Sequence, residues 1–195
     1  NGWAEQKPED WRDAALETIT KVVKDSGVAA DDIKGLGISG QMHGLVMLDE
    51  QGEVIRPSII WCDQRTEKEC EEMTEKVGAE KLIEITANPA MTGFTASKIL
   101  WVRNNEPENY AKCKHILLPK DYVRYILTGE FATEVSDASG MQLLDVPKRQ
   151  WSDELLEILD IDKSLLAKVY ESPEVTGTIL PEIAAKTGLS TSTVV

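Results

Sequence analysis

The apolar positions of the chain fall into two rhythms. Trp11, Ala15, Ile19, Val22 and Val23 recur at helical spacing. Pro8 suits a first helical turn, and the acidic Glu9 and Asp10 suit its positive end. Together they predict an amphipathic helix from Pro8 to about Asp25, stopped by Ser26-Gly27. The rhythm then shortens. Ile33 to Ser39 predicts a buried strand and Gly44 to Leu48 a second one. Asp49-Glu50-Gln51-Gly52 reads as a hairpin turn, and Val54-Ile55 and Ser58-Ile59-Ile60-Trp61 as short strands split by Pro57.

Helical spacing returns after Gln64. Glu67 to Lys76 is highly charged and predicts an exposed helix, and Ala79 to Ile85 a shorter one. Ala87 to Gly93 reads as a loop. Thr95 to Asn104 carries Ile99, Leu100, Trp101 and Val102, a helix with an apolar face. Pro107 to Lys112 predicts a short helix and His115 to Leu118 a short strand. Pro119 opens a helix through Ile126, closed by Thr128-Gly129. Phe131 to Gly140 reads as strand and turn. Ser152 reads as the N-cap of a helix that buries Leu155, Leu156 and Leu159. Pro181 begins a last helix to Thr187, ended by Gly188. This interleaving predicts an α/β domain, a mixed sheet with flanking helices.

Charge and composition change the picture mainly by exclusion. A chain of 195 residues suits one domain, or one and a fraction. Its net charge of −13 disfavours nucleic acid and anionic membrane as partners. The acidic residues are spread along the chain, as on a solvated surface. Cys62, Cys70 and Cys113 lack a Cys-x-x-Cys spacing and predict reduced thiols in a cytoplasmic protein. His43 and His115 lie in no zinc-ligand pattern. No apolar run approaches the length of a membrane span. The start at Asn1-Gly2-Trp3 and the end at Thr193-Val194-Val195 read as those of a piece of a longer protein.

Candidate chemistry concentrates in Gly37-Ile38-Ser39-Gly40-Gln41-Met42-His43-Gly44. A strand ending in a glycine-rich turn can hold side chains at the mouth of a cleft, where open α/β sheets bind ligands. Read from the residues alone, His43 is a satisfied turn histidine or a ligand contact. Gln41 binds a ligand or braces the turn. Asp63 and Arg65 follow a strand end; they are cleft residues or a local ion pair.

Gly93-Phe94-Thr95-Ala96-Ser97-Lys98-Ile99-Leu100-Trp101-Val102-Arg103-Asn104-Asn105 resembles the first signature of the FGGY family of carbohydrate kinases. Gly40-Gln41-Met42-His43-Gly44 resembles the xylulokinase branch of that family; glycerol kinases carry an Arg-Glu pair where Met42-His43 sit. Similar agreement runs through 56–65, 118–122, 128–132, 136–140 and 174–177, and so covers essentially the whole chain.

The resemblance implies the ribonuclease H-like (actin-like ATPase) fold, with this chain as the sugar side of the first domain. It implies Met42 and His43 as substrate contacts, with Gln41, Asp63 and Arg65 as further candidates. D-xylulose or a related ketose would be the partner, phosphorylated at O5. ATP and Mg²⁺ would serve the full-length enzyme, with neither bound by this stretch. The family's Asp-x-Gly-Thr-Ser phosphate loop is expected upstream of these residues rather than within them. Its catalytic aspartate, in a Gly-Gly-Gly-Asp-Asn stretch, is expected just after Val195, and the adenosine-binding domain later. No catalytic residue is therefore expected here. A homodimer is left open. Lys98 and Trp101, three apart on one helical face, read as bracing. Phe94 and Trp151 read as core, Cys62 as a buried small residue, and Asp137 with Ser136 and Ser139 as a turn.

Overall fold

The computed structural model describes residues 2–195. Strand β1 (Glu5–Gln6) precedes helix α1 (Pro8–Ser26). Strands β2 (Val46–Leu48) and β3 (Ser58–Ile59) follow. Helices α2 (Glu67–Val77), α3 (Ala79–Thr86), α4 (Thr95–Asn105) and α5 (Pro107–Lys112) come next. Strand β4 (His115–Leu117) leads into α6 (Pro119–Thr128), and β5 (Ala132–Glu134) into the single turn α7 (Val135–Ala138). Strands β6 (Leu144–Asp145) and β7 (Gln150–Trp151), helix α8 (Asp153–Leu159), strand β8 (Lys168–Tyr170) and helix α9 (Pro181–Thr187) complete the order.

Most helices follow the sequence pattern. Helix α1 starts on Pro8 and ends at Gly27, whose φ of 64° closes it in the left-handed region. Its Leu16 packs with Leu127 of α6 and with Ile179, Ile183 and Leu189 around α9. The Ser152 hydroxyl accepts from the Leu155 N–H at 3.2 Å and caps α8, as expected. No helix among the described residues is long and apolar enough to cross a membrane.

The strands pair in short pieces: β1 with β3, β2 with β4 and β6 with β7 antiparallel, β5 with β8 parallel. In the β2–β4 pair Val46 faces Leu117, Met47 faces Ile116 and Leu48 faces His115. Leu45 to Leu48 are completely buried, so β2 has core on both faces. That explains why its sequence is apolar without alternation. Helix α4 lies against this core with Ile99, Leu100 and Val102 fully buried beside Met47, Leu82, Ile116, Leu155 and Leu159. Each such side chain contributes about 1.5–3 kcal/mol of burial.

Several expectations are corrected. Ile33 to Ser39 is not a buried strand. Ile33, Leu36 and Ile38 are only half-buried. The segment is tied along one edge, by a Gly35–Val194 parallel bridge and the bonds Leu36 N–H to Val194 O (2.9 Å) and Val194 N–H to Lys34 O (3.0 Å). A buried strand needs cover on both faces, and cavities of about 670 and 510 Å³ both reach residues 36–40. Helix α2 is not simply exposed, because Met73 and Val77 reach the core. Residues 95–102 of α4 are buried all round rather than on one face. The expected turn at 135–140 is helical. The Glu134 carboxylate accepts from the N–H groups of Ser136 and Asp137 and starts α7. Residues Glu5 and Gln6 of the polar lead-in form a strand on β3. Cys62 is exposed, whereas Cys113 is the buried thiol.

Candidate functional site

The turn between residue 40 and β2 is built by close approach. The Gly44 N–H donates to the Met42 carbonyl at 2.8 Å. A β-carbon on Gly44 would stand 2.5 Å from Pro119 Cγ, so no larger residue fits there. His43 has φ 64°, the left-handed region that a side chain disfavours. Its carbonyl accepts from Thr95 Oγ1 at 3.1 Å and from Lys98 Nζ at 2.9 Å, both from the first turn of α4.

The imidazole is fixed from two sides. Nδ1 lies 3.1 Å from the Gly140 carbonyl oxygen, and the ring meets Phe94 edge-on at 4.3 Å between centroids. Phe94, expected in the core, is half-buried and packs on this ring instead. A carbonyl can only accept, so Nδ1 carries the hydrogen and Nε2 keeps its lone pair. Burial lowers the imidazole pKa, the Lys98 charge lowers it further, and the Gly140 carbonyl opposes both. The ring is therefore neutral at pH 7, and Nε2 accepts hydrogen bonds.

Met42 is exposed and lines the cavity of about 670 Å³ with residues 35–40, Lys120, Ser136 and Asp137. His43 is not among that cavity's lining residues. Gln41 lines the cavity of about 510 Å³, and its amide donates to Gln6 Oε1 at 2.8 Å. Asp63 and Arg65 form the local ion pair. Arg65 Nη2 lies 2.7 Å from Asp63 Oδ2, and the Ala4 N–H also donates to that oxygen. The Arg65 guanidinium reaches Glu5 and stands 4.1 Å from the Trp3 ring and 4.8 Å from the Trp101 ring. Burial would raise the Asp63 pKa, but Arg65 and the Ala4 N–H outweigh it and hold it below the usual range.

Sequence reasoning gave no role to Lys120, which sits in a buried charge cluster. Its ammonium lies 2.8 Å from Asp121, 3.3 Å from Glu134 and 3.3 Å from Asp137. Arg124 Nη1 lies 2.9 Å from Asp121. The signal was the adjacent Lys120 and Asp121 with Arg124 one turn further on along α6, charges that a mostly buried helix must neutralise. Burial, with the Asp121 and Glu134 charges and against Lys120, pushes Asp137 up to about 6. Burial also opposes Glu134 ionisation, yet Ser172, two backbone N–H groups and Lys120 hold Glu134 down to about 2. This cluster does not fit a resident metal ion, because Lys120 and Arg124 already fill it. Among the described residues no group of three or more His, Cys, Asp or Glu is arranged to hold one.

The order of elements and the placement of the turn are those of the ribonuclease H-like fold of sugar kinases. A xylulose kinase from Rhodospirillum rubrum superposes with a TM-score of 0.92 at 27% identity, over 99% of this chain and 40% of that one. The chain belongs to the FGGY family of carbohydrate kinases, whose N-terminal-domain description matches residues 1–195. Similar relatives are the xylulose kinases of Bacillus subtilis, 45% identical over 188 residues, and of Escherichia coli, 45% identical over 193 residues. The matches cover 96% and 99% of this chain but 38% and 39% of those proteins. The chain thus spans about two fifths of their length. The family resemblance carried by residues 40–44 and 93–105 is borne out.

Proposed function

We propose that this chain is the sugar-binding part of the N-terminal domain of an ATP-dependent xylulokinase. The enzyme transfers a phosphoryl group to O5 of D-xylulose and releases D-xylulose 5-phosphate and ADP. The observation that carries this reading is His43: a neutral imidazole, locked by Gly140 and Phe94, with Nε2 left as an acceptor beside the exposed Met42. The names of the relatives support the sugar.

In this reading a xylulose hydroxyl donates to His43 Nε2, and Met42 gives an apolar wall to the carbon chain. Such contacts align one hydroxyl and reduce the entropic part of the barrier. The O5–phosphorus bond forms as the bond from the γ-phosphorus to the β,γ-bridging oxygen breaks. The O5 proton leaves to a carboxylate base outside these residues. ATP and Mg²⁺, the phosphate loop and the adenosine-binding domain also belong to other parts of the cytoplasmic enzyme. Gln41, Asp63 and Arg65 support the turn and the β1 side of the site rather than meeting the sugar.

The test is steady-state kinetics of the full-length kinase with D-xylulose, glycerol and gluconate. D-xylulose is expected to give the highest kcat/KM. His43→Ala is expected to raise the D-xylulose KM about tenfold with the ATP KM little changed. An unchanged sugar KM makes His43 purely structural and removes the reading.

A further inference from the structure

Two side chains from the first turn of α4 converge on one atom. Thr95 Oγ1 and Lys98 Nζ both donate to the His43 carbonyl oxygen, at 3.1 and 2.9 Å. A second Lys98 bond, 2.8 Å long, goes to the Gly93 carbonyl. Lys98 is the largest of the fully buried side chains. No carboxylate lies within ion-pair distance of it among the described residues; its acceptors are neutral carbonyls. Burying an ammonium in that way is costly, and an aliphatic residue would fill the same space without the penalty. Burial depresses Lys98 to about 7, with Asp63 opposing. Charged or neutral, the amine still donates.

What this costly contact secures is a strained residue. His43 stands at φ 64°, and such a conformation persists only where its surroundings over-determine it. Gly140 on Nδ1 and Phe94 on the ring act on the imidazole, and the Gly44 N–H to Met42 carbonyl bond of 2.8 Å closes the turn locally without tying it to another element. Thr95 and Lys98 anchor that backbone to α4.

We propose that Lys98 is a positioning residue for His43: with Thr95 it locks the His43 carbonyl, and through it the left-handed turn that presents Nε2 to the sugar. The inference rests on the reading that His43 contacts the sugar. Lys98 touches no substrate. Its effect passes through the peptide plane of His43 and therefore disappears when the imidazole is absent.

The experiment uses the full-length kinase with Lys98→Met, Thr95→Val and Thr95→Ser, each alone and combined with His43→Ala. Lys98→Met is expected to raise the D-xylulose KM about tenfold and to hold the ATP KM within about twofold. Thr95→Val raises the sugar KM in the same direction, and Thr95→Ser, which keeps the hydroxyl, recovers it. In the His43→Ala background neither Lys98→Met nor Thr95→Val adds further loss. A folded Lys98→Met enzyme with an unchanged sugar KM overturns the proposal. So does a loss that persists undiminished without the imidazole. If Lys98→Met does not fold, the Thr95 pair decides by the same two criteria. The underlying reading fails separately, when His43→Ala by itself leaves the sugar KM unchanged.

Discussion

His43 Nδ1 and the carbonyl oxygen of Gly140 lie 3.1 Å apart although 97 residues separate them in the chain. The contact requires a residue without a side chain at position 140. A β-carbon there would stand 2.5 Å from Nδ1 and closer still to Cε1. The glycine therefore does two things for the imidazole: its carbonyl selects the tautomer, and its missing side chain leaves room for the ring.

Gly140→Ala is accordingly expected to displace the ring and raise the sugar KM by about tenfold or more, with a stability loss of about 1–3 kcal/mol from overpacking. Kinetics and urea melts of the same protein check both. A wild-type sugar KM would show that the ring direction does not matter.

The charge cluster under α6 holds three carboxylates, Asp121, Glu134 and Asp137, against Lys120 and Arg124. Asp137 carries the uncovered charge and is raised from 3.8 to about 6. Between about pH 4 and 6 the folded state keeps a proton that the unfolded state has released, so this group's contribution falls as pH rises through that window. Above pH 6 the full cost remains. Asp137→Asn is expected to stabilise the fold by on the order of 2 kcal/mol at pH 8, and by little at pH 4. Glu134, lowered from 4.5 to about 2, works the other way: its contribution is present above pH 4.5 and is lost on acidification towards 2. Denaturant melts of both proteins at pH 4, 6 and 8 test this. A destabilised Asp137→Asn at pH 8 would give Asp137 a favourable structural role instead.

Arg65 joins the start of the chain to its interior through Asp63, Glu5, Trp3 and Trp101. Arg65→Ala leaves the fully buried Asp63 without its partner, and a loss of about 3–5 kcal/mol is expected. Arg65→Lys should recover little, because a point ammonium can neither fork to two carboxylates nor lie as a planar group against the edge-on Trp3 and Trp101 pair. Thermal unfolding of the pair measures it; full recovery by lysine would reduce the contact to simple charge.

Ser152→Ala removes the cap of α8 and should cost about 1 kcal/mol without touching the sugar KM. A calorimetric melt and one kinetic run decide it.

Features set by local chemistry were legible in the residues. Pro8 and Gly27 bound α1, Ser152 caps α8, and the apolar run of β2 marks a strand buried on both faces. The turn that carries Met42 and His43 was marked by its glycines, but the expectation that the pair meets a sugar came only through the resemblance to a family. Their spacing has no periodic signal, and the partners that orient His43 come from α4 and from Gly140. Lys98 was read as a bracing residue, yet nothing in its neighbours showed that it would be fully buried. A lysine on a helix normally faces water. Ile33 to Ser39 was misread because apolar content reports how well a segment suits burial, not whether two neighbours flank it.

That one-edged segment has a consequence for motion. Its backbone is held chiefly through Val194, while Val46 to Leu48 are sealed between β4 and the core. Opening free energy follows such differences in burial and pairing. Amides at Gly37 to Ser39 should exchange their hydrogens quickly, and those of β2 only when the whole domain opens. The turn that carries Met42 and His43 thus joins a fast-breathing approach to a slow-breathing exit. A sugar held there would slow the exchange of the approach first.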